Sequence, residues 1–260
     1  MLVDSHAHLE SIDDLENVFL RARQSGINKI ITVGTSIESS KKNIEIAEKY
    51  STDDFKIYAI CGIHPKDGRG DIERFGLYQC IDTLKQIAKS SKKVVGIGET
   101  GLDYRLTSDP STSSGQAKQL TTDPTSSSQT RLQGASKEKK FQRTLFEAQI
   151  QLADDLKLPL IVHCRNAWEE IFDLLSKHNH YSSSDRIRLG SREVSTKDMI
   201  LNGEFSTSSN NKLRGVFHSW TGDWNSAKRA LDLGFYISFS GIVTFKNAKE
   251  IQEVAKKNAC

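Results

Sequence analysis

Residues 3–9 read VDSHAHL and place His6 and His8 one residue apart at the end of a short apolar run. In a β-strand, side chains two positions apart point to the same face, so both imidazoles can reach one point in space. Imidazole nitrogens are common ligands of divalent metals. A single His-x-His pair also occurs on surfaces where it binds nothing, so this interpretation depends on the rest of the chain.

Three further residues of metal-ligand type end strand-like apolar runs. Glu99 follows VVGIG, His163 follows LIV and His218 follows VF. His64 occupies a comparable position in the sequence GIHP. In a βα barrel the C-terminal ends of all strands point to one face, where the active site is built. The sequence therefore predicts that these side chains converge on a metal site at one end of a sheet.

Short β-type runs alternate with longer amphipathic stretches, a pattern typical of βα units around a parallel sheet. Strands are predicted near residues 1–5, 28–34, 56–63, 93–98, 159–163, 215–218 and 235–240. Helices are predicted near residues 12–25, 37–51, 73–90, 137–157, 166–179, 223–233 and 247–257. We therefore predict an α/β fold of the TIM-type (β/α) barrel class in one domain, residues 1–260, with seven recognisable βα units and an eighth missing.

Two segments interrupt the alternation. Residues 105–136 and 180–213 are rich in Ser and Thr and hold few large apolar side chains. Such segments cannot bury enough apolar surface to offset the entropy of ordering. Both are predicted to be flexible insertions on the outside of the domain.

The charge balance, the cysteines and the lengths of the apolar segments limit which classes of protein this chain can belong to. The chain has 36 basic and 33 acidic residues, which neither requires nor excludes a nucleic-acid partner. Its 4 cysteines form no C-x-x-C pair, which disfavours a zinc knuckle or a redox motif. No window has the length of a membrane span, and the first strand leaves no room for a signal peptide. We expect a cytoplasmic protein.

The segment GIGETG at residues 96–101 matches the dinucleotide-binding pattern G-x-G-x-x-G. That function requires a helix to open at this point, whereas here LDY leads into the polar segment. A buried Glu99 is better explained by a metal, because a buried carboxylate needs a cation to stay ionised. Its two oxygens can bridge two ions. The alternative is a structural ion pair with an arginine.

Several residues near these runs have two interpretations each. His64 is either a ligand or a donor to a substrate oxygen, and we favour substrate contact. Arg165 is placed to contact a phosphate or to pair with Glu169 one turn into the next helix. Asp103 either orients a ligand or caps a turn. His178 is expected to be a solvated surface residue, like the neighbouring His180.

The segments VDSHAHL, GIHP, GETGLDY, LIVHCR and VFHS, at residues 3–9, 62–65, 98–104, 160–165 and 216–219, together resemble the TatD family of metal-dependent deoxyribonucleases. The resemblance implies a βα barrel, with His6 and His8 on one metal, His163 and His218 on a second, and Glu99 bridging. It implies hydrolysis of phosphodiester bonds, often as a 3′-to-5′ exonuclease on single-stranded DNA, with two divalent ions (Mg, Mn or Zn) as cofactors.

This sequence departs from the family at its end. The family carries a further strand that finishes in a Glu-Thr-Asp-like motif, whose aspartate completes the first metal site. No such motif follows residues 247–257. The resemblance therefore predicts a truncated chain that binds metal but has little activity. The alternatives are an amidohydrolase-type enzyme on a small substrate, whose sites commonly use a bridging lysine, and a metal-binding remnant.

Overall fold

A computed structural model describes residues 2–105, 128–180 and 213–258, with the backbone alone for 128–133, 180 and 258. Its parallel strands pair in chain order, so each strand lies beside the next one along the sequence. The strands are β1 (Leu2–Ala7), β2 (Ile27–Val33), β3 (Lys56–Cys61), β4 (Val94–Asp103), β5 (Leu160–Arg165), β6 (Gly215–Phe217) and β7 (Phe235–Ile237). This order confirms the predicted barrel-type α/β fold, and β1 and β7 form the edges within the described residues.

Helices follow the strands and cover the outer face of the sheet. The α-helices of the described residues are α1 (Leu15–Gln24), α2 (Ile37–Tyr50), α3 (Arg69–Phe75), α4 (Leu77–Ser90), α5 (Ser128–Leu156), α6 (Trp168–His180), α7 (Trp224–Asp232) and α8 (Lys249–Asn258). None of these helices combines the length and apolarity needed to cross a membrane.

Strands β3, β4 and β5 are largely buried on both faces, as their continuous apolar runs predict, whereas the edge strands expose Leu2, Val3 and Tyr236. The main core lies between sheet and helices and includes Ile30 and Val162. On the opposite face Val33, Ile60 and Ile161 form a smaller cluster. Successive strand residues thus alternate between the two layers, which fixes the direction of every side chain at the strand ends.

Several element boundaries differ from the prediction. β4 continues to Asp103 rather than ending at residue 98. The helix predicted over 73–90 is two helices, because Gly76 adopts a left-handed φ of 79° between them. Helix α5 begins at Ser128, nine residues before the predicted start, so the prediction of an insertion was wrong for residues 128–136.

The two predicted insertions lie largely outside the described residues. Both terminal residues of the second are described: His180 ends α6, and Leu213 is buried at 4% exposure and belongs to the core. The insertion prediction was therefore wrong at residue 213, because Leu213, two residues before β6, packs in the main core.

Glycines in β4 allow it to lie unusually close to β5. A Cβ on Gly101 would lie 1.9 Å from the carbonyl oxygen of His163, and one on Gly98 would lie 2.6 Å from that of Ile161. Both residues also have positive φ angles of 143° and 150°. The G-x-G-x-x-G match therefore reflects strand packing, and because β4 runs on as a strand, the helix that a dinucleotide site requires does not open here.

Candidate metal centre

Glu99 is the central residue of the site and is only 4% exposed. It lies in β4 where the pairing with β5 shifts register between Ile97 and Thr100. Such irregularities re-aim side chains at functional positions. Its backbone N–H donates to the carbonyl of Gly34 at 2.9 Å, which anchors the residue against the end of β2.

One oxygen of this carboxylate faces the histidines of the first strand. The Glu99 Oε2 atom lies 3.3 Å from His6 Nε2 and 3.8 Å from His8 Nε2. His6 lies within β1 and His8 directly follows it, so the two-residue spacing brings both rings to one side as predicted.

The other oxygen faces histidines from three different segments. Glu99 Oε1 lies 2.6 Å from His218 Nε2, 2.9 Å from His163 Nδ1 and 3.7 Å from His64 Nε2. His163 Nδ1 and His218 Nε2 are themselves 3.2 Å apart. The predicted convergence of these side chains at the C-terminal ends of the strands is therefore present in the structure.

The ionisation of Glu99 follows from these neighbours. Burial alone would raise the pKa of its carboxyl group, but hydrogen bonds from His163, His218 and His6 outweigh burial and lower that pKa well below its usual range. Burial also lowers the pKa of His218, against the opposing effect of Glu99. The centre therefore holds an ionised carboxylate among imidazoles.

Val33 fixes the tautomer of His8. The Nδ1 atom of His8 lies 3.0 Å from the Val33 carbonyl oxygen, which can only accept, so Nδ1 carries the proton. In the neutral ring this leaves the Nε2 lone pair directed at the centre, the usual arrangement for a metal-ligating histidine. Glu10 Oε1 lies 3.6 Å from the same Nδ1 and is the main cause of the raised pKa of His8.

His163 has a carboxylate on the far side of its ring. Asp103 Oδ2 lies 3.4 Å from His163 Nε2, and Lys66 Nζ lies 3.1 Å from Asp103 Oδ1. Burial opposes charging of His163, but the contacts with Asp103 and Glu99 prevail and raise its pKa to about 9. Both interpretations of Asp103 have a counterpart in the structure: Oδ2 faces the His163 ring, and Oδ1 caps the following turn by accepting from the backbone N–H of Arg105 at 3.0 Å.

Two buried glutamines of α5 hold this end of the sheet, and the sequence analysis did not identify them. Gln142 accepts from the Asp103 N–H at 2.8 Å and donates to the Asp103 carbonyl at 3.1 Å. Gln149 makes the same pair of contacts with Ile63 at 2.8 Å each, and donates to Thr100 Oγ1 at 2.7 Å. Their spacing of seven residues places both on one helix face, which was the only available signal.

His64 is buried at 7% exposure on the loop after β3. Its Nδ1 accepts from the backbone N–H groups of Lys66 and Asp67, both at 3.3 Å. Nδ1 therefore faces these two donors, while Nε2 points to Glu99 Oε1 at 3.7 Å. Asp67 Oδ2 also lies 3.0 Å from Nδ1, on a side chain that is largely exposed.

Arg165 ends β5 next to the centre and is half-buried. The predicted alternative pairing with Glu169 is absent, because Glu169 instead pairs with Arg229 at 2.6 Å. No other described residue forms an ion pair with the Arg165 guanidinium. The carbonyl of Arg165 accepts from the Tyr104 N–H at 2.9 Å, which ties the ends of β4 and β5 together.

The prediction for His178 was wrong. Its side chain is 10% exposed and its Nε2 lies 3.8 Å from Asp154 Oδ2, within the packing of α5 against α6. Burial lowers the pKa of His178. His180 has no described side chain. Trp220, which follows His218 closely in the sequence, is 1% exposed and packs in the core.

The donor set fits divalent cations. Ligand atoms of His6, His8 and Glu99 lie within 4.8 Å of one another, as do those of His64, Glu99 and His163. Imidazole nitrogen with carboxylate oxygen is the combination that zinc, manganese and related ions accept. A parallel α/β sheet carrying such a cluster at the C-terminal ends of its strands defines the class of barrel-type metal-dependent enzymes.

Comparison with known proteins narrows this class. A family model described as TatD related DNase matches residues 3–259. An uncharacterised metal-dependent hydrolase of Buchnera aphidicola subsp. Acyrthosiphon pisum is 31% identical over 265 residues, covering 98% of this chain and 76% of the relative. The deoxyribonuclease Tat-D of Schizosaccharomyces pombe is 25% identical over 240 residues, covering 91% of this chain and 58% of that protein.

A solved structure supports the same assignment of fold. The TatD homologue YjjV from Escherichia coli K12 superposes with a TM-score of 0.64 at 22% identity, covering 97% of this chain and 73% of that one. The chain belongs to the TatD related DNase family of metal-dependent hydrolases.

Proposed function

We propose that this chain hydrolyses phosphodiester bonds of DNA with two divalent cations, one held by His6, His8 and Glu99 and the other by Glu99, His163 and His218. The observation that carries the proposal is that the two carboxylate oxygens of Glu99 contact different histidines. Oε2 faces His6 and His8, and Oε1 faces His163 and His218. A carboxylate whose two oxygens lie near different pairs of imidazole nitrogens is suited to bridging two ions.

Two bound ions can activate a water, neutralise a phosphate and stabilise a leaving oxygen. The side chains around them supply binding and orientation. Arg165, with no ion-pair partner among the described residues, is placed to form a bidentate contact with a non-bridging phosphate oxygen pair. His64, whose Nε2 points to the centre, is placed to donate a hydrogen bond to a substrate oxygen.

Single-stranded DNA cleaved from its 3′ end is the proposed substrate and direction. The name of the fission-yeast relative, deoxyribonuclease Tat-D, supports DNA. Exonuclease direction and strand preference rest on the family resemblance. The amidohydrolase alternative is disfavoured because Glu99 occupies the bridging position, and Lys66, the nearby lysine, is paired with Asp103 at 3.1 Å.

The test is a cleavage assay on oligonucleotides labelled at either end, as single-stranded DNA, duplex DNA and RNA, with Mg²⁺, Mn²⁺ or Zn²⁺ and with EDTA. We expect metal-dependent release of single nucleotides from the 3′ end of the single strand, at the low rate that the family resemblance predicts for this chain. Glu99→Gln is expected to lower the rate by at least about 100-fold, by analogy with loss of one essential catalytic group. Glu48→Gln, an exposed substitution on α2, serves as the matched control.

The outcomes discriminate between the candidates. Cleavage of amide substrates without phosphodiester hydrolysis would support an amidohydrolase. Unchanged nuclease activity in Glu99→Gln would contradict the proposed role of the carboxylate, and it would point to a contaminating nuclease in the preparation.

A further inference from the structure

The segment between β7 and α8, residues 238–248, which we call the β7 loop, starts beside one of the proposed metal ligands. Ser238 begins the loop, and its N–H donates to the Phe217 carbonyl at 2.9 Å. Its own carbonyl accepts from the Trp220 N–H, also at 2.9 Å. These two contacts lie on either side of His218 in the sequence. The β7 loop therefore lies at the end of the sheet where a substrate of the centre has to bind.

Hydrogen bonds within the β7 loop and from α8 hold its backbone in place. Gly241–Thr244 form a 3₁₀ helix, and the Phe245 N–H donates to the Ile242 carbonyl at 3.0 Å. The side-chain amide of Gln252, on α8, donates to the carbonyls of Val243 and Phe245, both at 3.0 Å. Because the backbone around Phe245 is fixed in the free protein, a ligand that binds there pays little to order it.

The β7 loop exposes apolar side chains together with positive charge. Phe245 is 58% exposed and Ile242 is 36% exposed. Within the described part of the chain, no other aromatic ring or cation stacks on Phe245. Lys246 and Lys249 are exposed, and neither forms an ion pair with another described residue. Residues 233–249 include no Asp or Glu, so this positive charge is not compensated within the segment.

We infer that the β7 loop binds the single-stranded DNA substrate, with a nucleobase stacked on Phe245 and a phosphate contacted by Lys246. An aromatic side chain can stack any base, because every base has a π-face. A lysine beside the ring neutralises the phosphate that follows the base. Ile242, whose carbonyl accepts from the Phe245 N–H, adds apolar surface. The inference rests on the proposed function, which supplies the polyanionic substrate.

A second copy of the chain is the alternative occupant of this surface, and the charges disfavour it. Lysine is depleted at the cores of protein interfaces, whereas Lys246 directly follows the exposed ring of Phe245. In a two-fold contact between copies the same surface meets itself, so the lysines of both copies would repel one another. A DNA strand, in contrast, is attracted by Lys246 and Lys249.

The experiment measures the affinity for two fluorescein-labelled strands by anisotropy, in EDTA so that no metal-dependent cleavage occurs. One strand is oligothymidylate, and the other is an abasic strand with the same number of phosphates. Phe245→Ala should bind oligothymidylate about 5- to 100-fold more weakly and the abasic strand equally well, because only stacking is lost. Phe245→Trp should retain the affinity for oligothymidylate, since it keeps an aromatic face.

Two further variants separate charge from stacking. Lys246→Ala should weaken the binding of both strands and reduce the slope of log Kd against log salt by about 0.7, the value for one phosphate of a single strand. Phe75→Ala removes a ring that is 49% exposed on α3 and is the matched control, which should change neither affinity. Circular dichroism shows whether each variant is folded, and sedimentation velocity measures self-association.

Equal affinity of Phe245→Ala and the unsubstituted chain for oligothymidylate would overturn the inference. An equal loss of affinity for both strands, or no DNA binding by the unsubstituted chain, would also overturn it. Reduced self-association in Phe245→Ala with unchanged DNA affinity would assign the surface to a second copy instead. The inference and the proposed function fail separately, since a chain that binds oligothymidylate through Phe245 but cleaves no phosphodiester would refute the proposed function alone.

Discussion

In the proposed centre, protons and metal ions compete for His163, so metal binding should depend strongly on pH. Burial opposes charging of this ring, but Asp103 and Glu99 together raise its pKa from 6.5 to about 9. An imidazolium has no lone pair for a metal. Metal binding near neutral pH must therefore displace a proton from the site.

The size of the effect follows from the pKa. A group with a pKa of about 9 is roughly 99% protonated at pH 7, so apparent metal affinity there should be about 100-fold weaker than above pH 9. The free energy of unfolding of the metal-free protein should change with pH in the opposite direction to the metal affinity. The raised pKa contributes stability that is fully present below pH 6.5 and is lost as pH rises through about 9.

Calorimetric titration with Mn²⁺ in buffers of different ionisation enthalpy measures both affinity and the number of protons released. We expect about one proton released from His163 per chain at pH 7 and none at about pH 10. His178→Gln, a change at a buried histidine outside the centre, should leave the profile unaltered. Affinity that does not change between pH 6.5 and 9 would refute the assignment of His163 as a protonated ligand in the metal-free state.

Three further substitutions test the packing of β4 against β5, the contacts made by Gln149, and the proposed phosphate contact of Arg165. Gly101→Ala should lower the free energy of unfolding by at least about 2 kcal/mol, because its Cβ would lie 1.9 Å from the His163 carbonyl oxygen; Gly70→Ala, with nothing within 4 Å, should not destabilise, and equal effects would contradict the packing argument. Gln149→Leu should cost about 2–4 kcal/mol in chemical denaturation, since it leaves the Ile63 N–H and carbonyl unpaired, and a neutral effect would show that water replaces the amide. Arg165→Ala should raise the KM for single-stranded DNA by about 10-fold with little change in kcat, whereas Arg229→Ala, which breaks a surface pair with Glu169, should change neither.

The sequence was sufficient to predict the strand order and the convergence of the His and Glu99 side chains at one end of the sheet. On a strand, the two-residue spacing of His6 and His8 places both side chains on the same face. Parallel strands bring their C-terminal ends to one end of the sheet. Glu99 could be placed at the centre because a carboxylate that directly follows a buried apolar run needs a cation nearby to stay ionised. These patterns needed no knowledge of distant partners.

The missed features depend on contacts between distant segments. Gln142 and Gln149 resemble ordinary polar helix residues in the sequence, and their burial is caused by backbone groups of Asp103 and Ile63 that only the fold brings near. The early start of α5 at Ser128 was hidden because its first turns lack an apolar stripe. The prediction for His178 followed from its polar neighbours, although the α6 face it occupies packs against α5 near Asp154.

The central claim is that Glu99 holds one ion on each of its oxygens. A crystal structure of the chain grown with Mn²⁺, with anomalous scattering recorded at the manganese edge, tests it directly. The account predicts two anomalous peaks about 3.5–4 Å apart, one beside His6 and His8 and the other beside His163 and His218, with Glu99 between them. A single peak in this centre, or manganese bound only at other positions, would contradict the claim.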